Sequence, residues 1–428
     1  MIRALLVVAC AVLGAARLPA QTGDTLTLGQ VIEASGRQDP RAAQVALERA
    51  RSALRLERIG ADRLPSLRVS GQAQHQSEVT SLAGSGSPDL PFPLPTPSRD
   101  TYDARVEVRQ PIFDPTIPSR RAAEHAGRAE AEAQIEAILH ALRAEAIEAF
   151  FAAALMAARA DAVEATLQEL EAARVLAAAR VREGTALPSE EATLRAELLR
   201  RRQDADEARA ERAAALRIVS ELTGIAADTN AVLHVADVGG SELPDSVARP
   251  ELALFARRQE RLALQERAVA ASDRPRLAAF GRAGYGRPGL NLLGDEFGSW
   301  WLGGIQLEWS PRLWGSEGRE RELLRLESEI VATEAAAFRA AVARSAARDA
   351  AAFARLAATI AVDDEIVGLR ESVERETRLR FDEGVVTSAE LVDRSTDVLA
   401  ARIARATHRL ELARARARYR NLMGLEVE

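Results

Sequence analysis

The sequence has 428 residues, of which 28% are charged and only 4% aromatic, with a formal net charge of −6 at pH 7. A chain this acidic carries no nucleic-acid footprint, and one so poor in aromatics lacks the bulk of an ordinary two-layer core. Ala, Arg, Glu and Leu dominate, a composition for long helices packed side by side, where small Ala side chains let backbones approach closely.

In chain order, residues 1–20 have the pattern of an export signal. Arg3 supplies the positive start, an apolar run extends from Ala4 to Leu13, and Leu18-Pro19-Ala20 offers a small residue at the cut site before Gln21. Cys10, the single cysteine, lies inside that run and fits a small apolar residue of the signal core better than a lipid-attachment site. Without the signal the chain has no thiol, which suits an oxidising compartment. No later apolar run reaches the length of a transmembrane helix, so any membrane insertion must use strands.

A helix is expected over about 28–61, followed by a strand pair. Leu67, Val69, Gly71 and Ala73 alternate with Arg68, Ser70, Gln72 and Gln74; across a Gly-, Ser- and Pro-rich loop at 84–99, Ala104, Val106 and Val108 alternate with Arg105, Glu107 and Arg109. One face is apolar and the other polar, over the roughly ten residues that a tilted strand needs to cross a bilayer. A soluble half-buried hairpin would alternate in the same way. Residues 128–183 then contain neither Gly nor Pro, which predicts a helix about 80 Å long at 1.5 Å per residue. Glu183-Gly184 marks its end, and Pro188 opens the next helix.

The same order then recurs. Asp39-Pro40 and Leu64-Pro65 are answered 210 residues on by Arg249-Pro250 and Arg274-Pro275. Pro111, Glu183-Gly184 and Leu222-Thr223-Gly224 are answered 200 residues on by Pro311, Glu383-Gly384 and Leu422-Met423-Gly424. A ten-residue difference in one loop accounts for the change of shift. The chain therefore divides into a signal (1–20), a first repeat (21–240) and a second repeat (241–428), each holding a helix, a strand pair and a long helical hairpin.

The second copy predicts a helix at about 250–272, a fourth strand with Trp301, Ile305, Leu307 and Trp309 on its apolar face, and a second uninterrupted helix through 319–367. Counted from the shared proline, Ile305 and Leu307 are one residue out of step with Val106 and Val108, which calls for a bulge. Trp300, Trp301, Tyr285 and Tyr102 stand where interfacial aromatics would sit. Val392, Leu399, Ile403 and Leu410 in the last helix follow a coiled-coil seam. Four strands cannot close a barrel, and open edges do not survive in lipid, so membrane strands here require several copies; three would supply twelve. The fold class read from the residues is thus mainly α: a tandem duplication of long antiparallel coiled-coil hairpins plus two β-hairpins with the pattern of membrane strands.

This pattern resembles the TolC family of outer-membrane efflux proteins over essentially the whole chain after the signal. The resemblance rests on Leu26-Thr27-Leu28, Asp39-Pro40, Leu64-Pro65-Ser66-Leu67, Gln110-Pro111-Ile112-Phe113-Asp114, and Glu383-Gly384-Val385 followed by Glu390 and Asp393. It implies two membrane β-hairpins per chain and a homotrimer that forms a trimeric α/β-barrel tunnel in the outer membrane of a Gram-negative bacterium, in contact with outer-membrane lipid and extending through the periplasm. It further implies work with a periplasmic adaptor and an inner-membrane transporter of the RND or ABC type. By the same resemblance the hairpin tips, at Gly184, Thr185, Gly384 and Val385, would close the tunnel and meet the adaptor. Glu190, Glu390 and Asp393 would form a cation-attracting pore constriction, although acids in a first helical turn are also favoured by the helix dipole. Thr193 departs from the pattern by standing where the second copy has Asp393, and Arg182 and Arg195 lie near the first tip as candidate salt-bridge partners.

Nothing points to chemistry. His75, His125, His140, His234 and His408 show no metal-ligand spacing, and the glycines of 281–289 lack the strand–loop–helix context of a dinucleotide site. No enzyme activity, cofactor or metal is expected. The rival expectations are a periplasmic adaptor, which would carry one helical hairpin between β-rich domains, and an exported structural coiled coil, which would leave the strand pairs unexplained.

Overall fold

The computed structural model describes residues 25–79, 98–228, 231–235, 246–290, 296–311 and 315–427. The signal segment with Cys10, most of the loop at 84–99, and Arg312-Leu313 of the second proline motif lie outside the described residues. The elements are β1 (Thr25–Thr27), α1 (Leu28–Gln38), α2 (Gln44–Ala61), β2 (Ser66–His75), β3 (Asp100–Phe113), α3 (Thr116–Arg182) and α4 (Pro188–Thr223), then β4 (Val232–His234), α5 (Pro250–Ser272), β5 (Arg276–Arg287), β6 (Gly298–Glu308), α6 (Ser316–Asp382) and α7 (Ser388–Met423). Helices α3 and α6 both have 67 residues and α4 and α7 both have 36, each pair offset by 200 positions. No helix among the described residues is long and apolar enough to cross a membrane.

The chain forms two compact units, and each draws on both halves of the sequence. Of the described residues, one unit takes those within 25–42, 137–250 and 339–427, and the other those within 43–136 and 251–338.

In the first unit the long helices bury a narrow stripe. On α3, Ala146, Phe150, Ala153, Ala160, Val163 and Leu170 are all buried and follow one another at steps of four, three, seven, three and seven residues, the heptad pattern of a coiled-coil seam. Half of these are alanines, which lets neighbouring backbones close in. A bulkier core forms where β1 and β4 pair in parallel, Leu26 opposite Leu233. There Leu28, Val31 and Ile32 of α1 pack on Ile147, Phe150 and Phe151. Thr27 caps α1 through a reciprocal capping box with Gln30.

The helix expected over 28–61 is instead broken. α1 stops at Gln38, a 3-10 turn follows at Pro40–Ala43, and α2 begins at Gln44. Pro40 has no N–H to donate and drives the preceding residue out of the helical region, and Asp39 accordingly sits at φ −63°, ψ 126°. Its carboxylate then accepts from the backbone N–H and the guanidinium of Arg41; the Arg41 side chain, ahead of burial, holds that carboxyl below its usual 3.8.

The second unit holds the four-stranded antiparallel sheet, ordered β2-β3-β5-β6. Leu67 pairs with Val108 and Val69 with Val106, and β3 joins the two strand pairs through Val106 opposite Ala283. The pairing shifts register between Pro111 and Phe113. That bulge puts Phe113 on the same face as Val108 although one number is odd and the other even; it lies beyond Pro111, so the one-residue offset counted from that proline to Val106 and Val108 is not its doing.

Gly384 and Gly424 both sit at φ +78°, but a Cβ on Gly384 would meet open space whereas one on Gly424 would lie 2.4 Å from the Ala248 carbonyl carbon. Gly384→Ala is therefore expected to cost about 1–2 kcal/mol, the strain of the left-handed region alone. Gly424→Ala should lower the thermal midpoint clearly further, and equal midpoints for the two variants would remove the Ala248 contact from this account.

Candidate functional site

The second unit presents an exposed apolar sheet face. Ladder partners share a face, so Leu67 and Val69, Val106 and Val108, and Ile305 and Leu307 line the same side of the sheet. Val69 is 73% and Ile305 69% exposed, far from the burial that a soluble sheet gives such side chains. Aromatic rings stand at both ends of this band. At the end near residue 100, Phe297 stacks between Tyr102 and Tyr285, at 6.0 and 5.8 Å; Trp301, level with Val106 through Ala283, projects 79% exposed within the band. At the other end Phe113 and Trp309 are exposed, the latter donating from Nε1 to the Asp273 carbonyl at 2.9 Å.

The expectation that Trp300 joins this belt is corrected. Consecutive strand residues point to opposite faces, and Trp300 covers Gly284 on the polar side; a Cβ there would lie 2.6 Å from its ring. On that side Arg282 donates to Glu107 at 3.0 Å, Arg109 to Glu308 at 2.9 Å, and Arg105 to Ser70 at 3.2 Å. The sheet therefore has one exposed apolar face and one polar, ion-paired face. Its outer strands β2 and β6 each pair on one side only.

In the first unit the helical hairpins turn at Gly184 (φ +73°) and Gly384. Both turns are Schellman motifs: Thr185 N–H donates to the Arg180 carbonyl and Gly184 N–H to Val181, as Val385 does to Arg380 and Gly384 to Phe381. Thr185 and Val385 are exposed at the tips, Val385 at 69%. Behind the turns Leu170, Leu194 and Leu198 of the first hairpin pack on Phe381 and Leu391 of the second.

Close to the turns, polar clasps join the hairpins within the chain. Arg180 donates to the carbonyls of Phe381, at 2.6 Å, and Asp382, satisfying orphan acceptors at the C-terminus of α6. Glu190 accepts the Ser388 N–H at 2.6 Å and so caps the N-terminus of α7. Of the three predicted constriction acids, Glu190 is thus engaged in a helix cap, whereas Glu390 and Asp393 are exposed on α7. The Glu390 N–H is capped by Thr387 Oγ1. Arg182 turns back to its own helix at the Ala178 carbonyl. Sequence reasoning missed Arg180, although its recurrence as Arg380 at the 200-residue shift was a usable signal.

Further along the hairpins, Glu374 is only 7% exposed. Burial, then the facing Glu169 carboxylate, push its carboxyl above the usual 4.5, against the pull of Arg402 and Arg378. Arg402 bonds Glu371 at 2.9 Å and lies 3.7 Å from Glu169.

The chain is similar over nearly its whole length to solved outer membrane channels. With MtrE of Neisseria gonorrhoeae in its open state it shares a TM-score of 0.66 at 16% identity, over 94% of this chain and 89% of that one. With CmeC of Campylobacter jejuni the values are 0.65 and 13%, over 94% and 86%. With the outer membrane protein VceC of Vibrio cholerae they are 0.64 and 15%, over 94% and 97%. No family model and no curated protein matches the sequence. At these identities the likeness establishes a shared fold, the helical-hairpin and strand architecture of the outer membrane channels.

Because the folded-state pKa of Glu374 is raised, its ionisation opposes the hairpin packing once pH exceeds the unfolded value of about 4.5. Glu374→Gln is expected to raise the thermal midpoint at pH 7 and to lose that advantage below pH 4.5, where the native carboxyl is already neutral. A midpoint difference independent of pH would exclude this origin.

Proposed function

We propose that the chain is an outer-membrane exit duct, a conduit rather than an enzyme, for efflux or secretion across the periplasm and outer membrane of a Gram-negative bacterium. The observation that carries this reading is the exposed apolar sheet face, bounded by aromatics at both ends and backed by an ion-paired polar face. From Tyr102 to Phe113 the third strand runs roughly 36 Å at 3.3 Å per residue. A tilt near 40° brings that to about 28 Å, the height of the apolar band of a membrane barrel. A four-stranded sheet has two unsatisfied edges, which lipid does not tolerate. Three copies close a twelve-stranded barrel whose ion-paired face lines a wet lumen.

The hairpins then form the periplasmic part of the conduit. Tips carrying Gly184, Thr185, Gly384 and Val385 would meet a periplasmic adaptor, which connects the duct to an inner-membrane transporter of the RND or ABC type. The likeness to the MtrE and CmeC outer membrane channels supports the duct; the partnering rests on the sequence resemblance. Glu390 and Asp393, whose carboxylates are exposed on α7, are the residues assigned to a cation-attracting constriction. Glu190, bound to Ser388, contributes to it through the position of the α7 N-terminus. A tandem pair of hairpins with one four-stranded sheet leaves the adaptor alternative without a supporting feature.

Single-channel recording in planar bilayers tests the assignment. Discrete cation-selective steps are expected from the detergent-purified protein, with selectivity for cations reduced severalfold in the variant Glu390→Gln, Asp393→Asn. Selectivity unchanged in that variant would move the constriction elsewhere, and a protein that stays in aqueous solution without detergent as a single copy would sink the duct.

A further inference from the structure

Each residue of the first hairpin has a counterpart 200 positions on in the second, because α3 and α6, and α4 and α7, match in length and offset. The contacts that join the two hairpins within one chain therefore serve as a template. On the first hairpin, Ala162 packs against the cluster that holds Leu399 of α7, Glu169 meets Arg402, and Ala173 belongs to the cluster around Phe381 and Leu391. Their face on α3 recurs on α6 as Val362, Ile366, Leu369 and Val373, spaced four, three and four residues apart as in a coiled-coil seam. Those four are exposed, from 42% to 62%.

The opposite half of the contact shows the same imbalance. Leu399, which the first hairpin covers, is 2% exposed, whereas its counterpart Leu199 is 58% exposed. An uncovered apolar stripe on the second hairpin and an uncovered leucine on the first are thus the two sides of one joint that a single chain cannot make. A second copy of this chain supplies it.

The template also says which parts of the joint survive the transfer. Arg180, which clasps the α6 carbonyls, recurs as Arg380. Within the chain Arg380 reaches Glu376 on its own helix with its side chain 55% exposed, and backbone carbonyls are present in any sequence. Glu190, which accepts the Ser388 N–H, recurs as Glu390, but the counterpart of Ser388 is Pro188. Proline has no N–H, so the second clasp cannot form. Leu170 and Leu194 of the buried tip cluster recur as Arg370 and Arg394, which replaces the apolar contact with charge.

We propose that the α6 stripe seats the first hairpin of a second copy with Leu199 against Val362 and Ile366, and that near the tip this seam between copies is held by Arg380 without the Glu–N–H clasp, so that it parts before the seam within the chain. This deepens the duct reading and rests on its oligomer.

Two experiments on the full chain in detergent test it. Oxidation of Leu199→Cys combined with Val362→Cys, or with Ile366→Cys, is expected to give covalent dimers and trimers on denaturing gels that neither single cysteine gives. An oligomeric mass without such products overturns the seam and leaves the duct standing; a single-copy mass overturns the duct itself. Pro188→Ser restores the missing donor and is expected to make channel openings severalfold rarer, with Glu390→Gln cancelling the effect. Openings as frequent as in the parent protein overturn the missing clasp.

Discussion

A helix of 67 residues has no globular body beside it to bury a face, and helical propensity alone is a weak stabiliser in water. Its stability must come from a continuous stripe packed on other helices, and that demand organises the first unit. The stripe on α3 is narrow and rich in alanine, with Ala146, Ala153, Ala160, Ala173 and Ala177 all buried. Small side chains gain little apolar area each, but they let backbones approach and leave no bulky residue to find a hole for. Larger side chains gather where the geometry widens: Phe150 and Phe151 sit edge to face, 5.5 Å apart, beneath the β1–β4 ribbon. The scarcity of aromatics in the sequence is a direct consequence of this mode of packing.

Much of this was legible because it depends on local rules. The bounds of α5, the glycine turns and the alternation in β2 and β3 follow from backbone sterics and side-chain period, which a single sequence carries openly. The break at Pro40 was legible too: the helix expected over 28–61 ran through a proline, and the proline geometry prevailed. The Trp300 error came from treating adjacent aromatics as one feature where the strand period of two separates them. The register shift beyond Pro111 shows only in the pairing of β3 with β5, and it lies on the far side of that proline from the offset that the repeats display.

The tip was the least legible part, for a physical reason. Its clasps join side chains to backbone groups at helix ends, and a backbone group leaves no mark in the sequence. Arg180 looks like any solvated arginine of an Arg-rich helix until the carbonyls of Phe381 and Asp382 are placed beside it. Glu190 likewise belongs to the general class of acids in a first helical turn, favoured by the dipole of their own helix. It instead satisfies an orphan N–H of a different helix. The same residue type at the equivalent place in the second copy, Glu390, is exposed. What separates the two is the residue each would bind, serine in one case and proline in the other.

That contrast shows how a duplicated chain acquires unequal joints without changing its fold. Proline and serine are both good openers of a helix, since the first N–H of a helix has no intrahelical partner in any case. Exchanging one for the other therefore leaves α4 and α7 equal in length and similar in start, at Pro188 and Ser388. It removes only the donor that a neighbouring carboxylate would use. Arg370 and Arg394 in place of Leu170 and Leu194 act in the same way: helix propensity is nearly unchanged, while an apolar contact becomes a hydrated one. The two hairpins can thus keep identical backbones and differ only in what their outward faces bind. The strength of a joint is set by side chains that the helix itself does not need.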